Sequence, residues 1–203
     1  IRIPQFWPEL CSTGVLTMEY IEGHRVASAK VAALPQATRN ELGKLMLRLF
    51  FAEVFDLGLV QTDPNFGNYL INDDGSELTL LDFGSVFELD QTVRRALCNA
   101  ILAGLINDEV RLETALVALG CLKSDAGEVA KATFKAFISN LLEPLRPPEA
   151  LQPEHVNAEG LYSWGRSELV NRTSQQVVRS LMNKEFAIPS GDFAMVARKL
   201  TGV

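Results

Sequence analysis

Between Gln61 and Gly84 the chain reads "QTDPNFGNYLINDDGSELTLLDFG", and three of its side chains, Asp63, Asn68 and Asp82, are of types that handle metals and phosphates. Asp63 and Asn68 share one short loop, and Asp82 opens the tripeptide Asp-Phe-Gly further on. The apolar runs "NYLI" and "ELTLLDF" lie between them, parted by "NDDGS" with its Asp74-Gly75 turn pair, so the spacing predicts a β-hairpin. A hairpin returns its ends to within about 5 Å of each other. Asn68 and Asp82 are then expected to face one point. Their oxygens suit Mg²⁺, which commonly takes one or two carboxylates and fills its shell with phosphate oxygens and water. Asp63, one loop earlier, would point at whatever the metal-bound phosphate reacts with. Such a set serves phosphoryl transfer, where the protein mainly positions groups and neutralises charge.

Elements must hold these residues. "VLTMEYI", from Val15 to Ile21, is β-branched and aromatic and predicts a strand ended by Glu22-Gly23. "TRNELGKLMLRLFFAEVFDLGL" predicts a long buried helix, with Thr38 as N-cap, Glu41 completing a capping box, and Gly58 closing it. From Thr92 the pattern is helical: one helix to about Ile106, a second opened by Asn107 and closed by Gly120, and a third from about Asp125 to Leu142. The proline-rich "EPLRPPEALQPEHVNAEG" predicts a long loop. Helical spacing resumes over "SELVNRTSQQVVRSLMNK", Pro189 breaks it, and a last helix starts near Asp192. The expected class is α+β, mainly α, with a catalytic hairpin and a helical bundle.

Composition excludes several alternatives. With 203 residues, 47% hydrophobic and 22% charged, the chain can bury one sizeable core or two small ones, and one domain is the default expectation. A net charge of −6 without any Lys/Arg block argues against a nucleic-acid or anionic-membrane surface, and nucleic acid is not expected as a partner. Cys11, Cys98 and Cys121 show no metal-binding spacing and no disulfide framework, which suits a reducing compartment. His24 and His155 stand alone and read as surface or loop residues without an assigned role. The greasiest run, from Leu45, is interrupted by Arg48, Glu53 and Asp56, so no membrane span is expected. The opening "IRIPQFW" carries no signal-peptide features and reads as the start of an excised segment.

Asp63-x-x-x-x-Asn68 matches the kinase catalytic loop, and Asp82-Phe83-Gly84 matches the metal-binding motif that follows it in kinases. "QTDPNFGNYL" joined to "LLDFGSV" resembles the UbiB/AarF atypical kinase family, particularly the branch of the coenzyme Q biosynthesis kinases and their bacterial relatives. The resemblance runs from "LTMEYIEG" to the terminal "FAIPSGDFAMVARKLTGV". It implies a protein-kinase-like C-lobe over residues 1–203: residues 1–25 the end of the N-lobe sheet and the hinge strand, 26–203 the helical lobe. It further implies ATP and Mg²⁺ as cofactors, Asp63 as the catalytic residue, and Asn68 and Asp82 as metal ligands. Met18 would flank the adenine pocket, while the Glu19 carbonyl and the Ile21 amide would hydrogen-bond the adenine edge. Many members read His-x-Asp-Pro-His-Pro-Gly-Asn; here Gln61 and Asn65 replace both histidines and Phe66 the second proline, which favours the coenzyme Q-type branch.

The family's Lys-x-Gly-Gln element, alanine-rich nucleotide loop and ATP-pairing lysine have no counterpart before Ile1. Lys30, in the linker, and Lys44, on the long helix, are no substitutes, so the segment alone is expected to be inactive. The resemblance implies an ATPase or small-molecule phosphotransferase in the full-length parent, supporting ubiquinone or related isoprenoid-lipid metabolism. Its acceptor would be a lipid or small molecule, its setting a peripheral membrane or lipid-biosynthesis complex, and its location the cytoplasm or, in a eukaryote, a mitochondrion or plastid. The short stretch from Gly84 to Thr92, without Ala-Pro-Glu, independently leaves little room to dock a peptide substrate. Two other classes share some of these features. One is an idle kinase-like lobe acting as a nucleotide-gated interaction module, against which the intact Asp63, Asn68 and Asp82 speak. The other is an aminoglycoside- or choline-kinase-like phosphotransferase, disfavoured by Gln61 where those proteins carry histidine.

Overall fold

The computed structural model describes residues 1–63, 65–181 and 191–202. They form two compact units, Ile1–Leu89 with Met195–Val203, and Asp90–Ala194. In the first unit, strand β1 (His24–Arg25) leads to a short helix α1 (Ala29–Ala32), whose cap Ser28 accepts a hydrogen bond from Val31 N. Helix α2 (Gln36–Phe51) starts before the expected cap: Pro35 stands at the N-cap, and Thr38 lies inside the first turn. Proline's fixed φ initiates the helix without a hydroxyl, and Glu41 instead pairs with Lys44 at 2.7 Å. Leu42, Met46 and Phe50 form its buried stripe. The helix widens into a π-turn over Ala52–Leu57 that buries Glu53 and Val54, and Gly58, at φ 68°, ends it as expected.

Strand β2 (Leu59–Gln61) follows, then the hairpin of β3 (Tyr69–Ile71) and β4 (Leu78–Leu80), then β5 (Val86–Glu88). The order β1-β3-β4 makes one antiparallel sheet, with Tyr69 opposite Leu80 and Ile71 opposite Leu78. Tyr69, Ile71, Leu78 and Leu80 bury against Val31, Leu42 and Met46. The second ribbon, β2 with β5, carries no sequence signal because each strand is only three residues long. Val15–Ile21, expected as a strand, makes only isolated bridges, Ser12 to Val15 and Phe6 to Met18. Arg2 sits at the edge of β4, donating its N–H to Leu78 O at 2.9 Å and accepting from Leu80 N at 3.0 Å.

The second unit holds α3 (Gln91–Ile106), α4 (Glu109–Ala118), α5 (Glu128–Leu141), α6 (Trp164–Ser167) and α7 (Leu169–Leu181). Asp90 caps α3. Asp108, not Asn107, caps α4: Asn107 takes the left-handed turn between the helices at φ 57°, and Gly120 closes α4 at φ 71°. The third helix begins at Glu128, later than expected, after a turn around Asp125. The proline-rich stretch forms three single turns, Glu143–Leu145, Pro148–Ala150 and Pro153–His155. Glu143 organises it, accepting from Arg172 Nη1 and Nη2 at 2.9 and 3.0 Å and from Tyr162 OH at 3.1 Å. Burial opposes ionisation of Glu143, but Arg172 outweighs it and holds the carboxyl below its ordinary range. His155, expected at the surface, is buried here with Nδ1 2.6 Å from Glu143 Oε1. The expected break at Pro189 lies outside the described residues; the last helix, α8 (Gly191–Gly202), starts next to Asp192.

Two consequences can be checked by denaturation. Gly75 turns the hairpin at φ +76°, and a Cβ there would lie 2.4 Å from Thr38 Cγ2 and 2.9 Å from Leu34 Cδ1. Gly75→Ala is expected to cost about 1–3 kcal/mol in urea unfolding, whereas Gly14→Ala, which meets open space, stays near neutral. Cys121 is buried, and burial pushes its thiol up to about 12. Folding thus favours the protonated thiol: this contribution is whole below the unfolded thiol's value of about 8.5 and is lost as pH rises towards 12. Alkylation at mildly alkaline pH should label exposed Cys98 and spare Cys121 until the chain unfolds.

Candidate active site

Gln61 ends β2 with its side chain buried and anchored at both ends. Its Oε1 accepts from Asp63 N at 2.8 Å, and its Nε2 makes a longer contact of 3.5 Å to Asp82 O. Thr62 extends the ribbon: its N–H donates to Ser85 O at 2.8 Å, and its hydroxyl donates to the same carbonyl at 3.0 Å. The loop bearing Asp63 and the segment after Asp82 are therefore joined by main-chain and side-chain bonds. The sequence marks Gln61 only as a departure from histidine; its anchoring role carries no local signal, because the strand it ends is too short to register.

After Pro64, Asn65 builds the turn that delivers Asn68. Its Oδ1 accepts from Gly67 N at 2.8 Å and its carbonyl accepts from Asn68 N at 3.0 Å, making one 3₁₀ turn over Phe66–Asn68. Asn68 Nδ2 then donates to Asp63 Oδ2 at 2.9 Å. On the main chain, Leu81 N donates to Asn68 O at 2.9 Å, one step past the Tyr69–Leu80 pair. The expected hairpin thus exists, and it places Asp82 beside the start of the strand that follows Asn68. Asp82 is exposed and its Oδ1 accepts from Gly84 N at 2.7 Å.

The remaining donors define what the site can hold. Among the described residues no hydrogen bond engages Asn68 Oδ1 or Asp82 Oδ2. Hard oxygens of this kind fit Mg²⁺. Among the described residues no group of three or more His, Cys, Asp or Glu gathers, so a cation here would draw further ligands from phosphate and water rather than from a protein cage.

The residues expected around adenine lie apart from this loop in sequence but in the same unit. Met18 is half-exposed and bridges Phe6. Glu19 N donates to Gln5 O at 2.7 Å, and the Glu19 carboxylate pairs with Arg2 and accepts from Gln5 N at 3.2 Å. Among the described residues no backbone hydrogen bond uses the Glu19 carbonyl or the Ile21 amide.

Residues 1–116 match the family model of the ABC1 atypical kinase-like domain. The mitochondrial atypical kinase COQ8 of Schizosaccharomyces pombe is 26% identical over 99% of this chain and 31% of its own length. The mitochondrial atypical kinase COQ8B of Rattus norvegicus is 28% identical over 99% of this chain and 35% of its own length. The chain thus spans about a third of the curated relatives it matches. Among solved structures, the Rv3197–erythromycin complex from Mycobacterium tuberculosis aligns with 99% of this chain and 47% of its own, with a TM-score of 0.63 and 18% identity. That likeness shows a shared protein-kinase-like fold.

Gln61→Leu keeps the volume but removes the acceptor for Asp63 N. The expected cost is about 1–3 kcal/mol, together with faster hydrogen exchange at the Asp63 amide. Unchanged exchange there would remove Gln61 from the role of loop anchor.

Proposed function

This chain belongs to the ABC1, or UbiB-type, atypical kinase-like family, and from that premise we propose that it is the catalytic lobe of an ATP- and Mg²⁺-dependent phosphotransferase or ATPase. Asn68 and Asp82 hold the metal, and Asp63 orients the attacking hydroxyl or water. Met18 flanks the adenine, whose edge is hydrogen-bonded by the Glu19 carbonyl and the Ile21 amide. The observation that carries this reading is the closed mouth of the hairpin, Leu81 N to Asn68 O at 2.9 Å, with Asn68 Nδ2 on Asp63 Oδ2 at 2.9 Å. The first bond brings the chain entering the hairpin beside the chain leaving it just before Asp82, and the second ties Asn68 to Asp63.

Within this reading each side chain has one task. Asn68 spends its N–H on Asp63, which fixes the amide so that its oxygen is presented. Asp82 is held by Gly84 N through one oxygen, which leaves the other for a cation. When bound, Mg²⁺ supplies charge neutralisation on phosphate oxygens. The hydrogen bond from Asn68 to Oδ2 holds the Asp63 carboxylate, which in this reading accepts the proton of an acceptor hydroxyl. The free Glu19 carbonyl and Ile21 amide offer the acceptor and donor that an adenine edge requires.

The acceptor is a small molecule or a lipid. Only Ser85 to Leu89 separate Gly84 from the cap of α3, and Val86–Glu88 are committed to the β2–β5 ribbon. A peptide has no long segment to dock on. The relatives' designation as mitochondrial COQ8-type kinases supports a role for the parent in quinone-lipid metabolism, inside an organelle where the source is a eukaryote and in the cytoplasm otherwise. No described helix is long and apolar enough to cross a membrane, and the contact with lipid in this reading is peripheral.

Asp82→Asn tests the assignment in the full-length parent. Asparagine keeps the oxygen that accepts from Gly84 N, so the melting temperature should stay near wild type, while Mg·ATP turnover falls to background. Wild-type turnover in that variant would take Asp82 out of the site.

A further inference from the structure

Lys199, on α8, is fully buried inside the first unit. A lysine ammonium has three N–H donors, and three acceptors surround this one: Glu53 Oε1 at 3.3 Å, Glu53 Oε2 at 3.2 Å and Tyr69 OH at 3.0 Å. Both partners are themselves buried. Burying such a pair is costly, and apolar residues of similar volume often serve a fold as well or better. Packing alone therefore gives little reason for a charge at this position.

The partners supply a reason. Glu53 Oε2 also accepts from Gln61 N at 3.3 Å, and the Gln61 side chain holds Asp63 N and contacts Asp82 O. Tyr69 directly follows Asn68 and begins the hairpin. One ammonium thus fastens both ends of the loop that carries Asp63 and Asn68, through Glu53 and Gln61 on one side and through Tyr69 on the other. We propose that Lys199 is a positioning residue of the active site, bracing the Gln61–Tyr69 loop from α8, so that the last helix is a working part of the catalytic lobe. This rests on the reading of Asp63, Asn68 and Asp82 given above.

The test uses the full-length protein that carries this segment. Lys199→Met alone would strand a buried carboxylate, so it is combined with Glu53→Gln, which removes the charge and keeps an oxygen for Gln61 N. Mg·ATP turnover is measured per folded molecule, below the unfolding transition of every variant, for wild type, Glu53→Gln/Lys199→Met, Lys199→Arg and Asp82→Asn. The double variant should lose about 10–100-fold in kcat with the KM for ATP changed by less than about twofold, and Lys199→Arg should recover part of that loss. Wild-type kcat in the double variant, whatever its melting temperature, overturns the proposal. Hydrogen exchange over residues 61–69 without nucleotide gives a readout independent of activity: about tenfold faster exchange in the double variant is expected, and unchanged exchange overturns the bracing role. If Asp82→Asn keeps full turnover, the metal reading fails, and the exchange measurement still decides Lys199.

Discussion

The main-chain bond from Leu81 to Asn68, at 2.9 Å, is the step on which the site's geometry depends. It continues the β3–β4 ladder by one residue beyond the Tyr69–Leu80 pair and fixes the distance between the chain entering the hairpin and the chain leaving it. Strand pairing leaves no freedom of register here, because Tyr69, Ile71, Leu78 and Leu80 all face the core formed with α2, and a slip by one residue would turn them outward. The hydrophobic effect that packs the hairpin on the helix therefore also sets where Asn68 and Asp82 stand. Stability and site geometry share one set of residues.

A second layer of order comes from polar groups that are buried and satisfied. Gln61, Thr62 and Glu53 are all buried, and each bonds to the backbone of the loop or of the segment beyond Asp82. Burial pushes Glu53 above the ordinary carboxyl range, against the pull of Lys199 and the hydrogen bond from Gln61 N. Such a network is costly when partly satisfied and rigid when complete. Exposed Asp82 is the opposite case: it keeps one oxygen on Gly84 N and has no such buried shell. The contrast leaves the loop held by buried groups and Asp82 accessible to solvent.

Much of this was legible in the sequence where a local rule governs the structure. Asp74-Gly75 announced the hairpin, Gly58 the end of the π-turn that continues α2, and Asp-x-x-x-x-Asn with Asp-Phe-Gly the loop and its partner segment. What escaped was non-local or brief. The β2–β5 ribbon has three residues on each side, too few for alternation to register. The Val15–Ile21 segment has strand composition yet only isolated bridges, since β propensity reports a packing environment and not a backbone preference. Thr38 lost its capping role to Pro35, two adequate starts competing within one turn. His155 reads as a loop residue until Glu143 and Tyr162 close around it, and the Glu53–Lys199 pair joins residues 146 apart, which no periodicity reveals.

Gln61 shows what a buried amide can do at the end of a strand. The position must present an acceptor to Asp63 N and a donor towards Asp82 O at once. A neutral imidazole can do both through its two nitrogens, but only in one tautomer, and protonation removes the acceptor. A primary amide carries a carbonyl and an NH₂ permanently, and neither titrates in the physiological range. Glutamine at this position therefore gives the loop a tie that does not change with pH, at the cost of more side-chain entropy than a ring would lose on ordering. The buried setting offsets part of that cost, since Glu53 fixes the Gln61 backbone from one side and the β2–β5 pairing fixes it from the other. The loop's order then rests on packing, on the neutral hydrogen bonds of the Gln61 side chain, and on Glu53 with its Lys199 partner behind the Gln61 backbone.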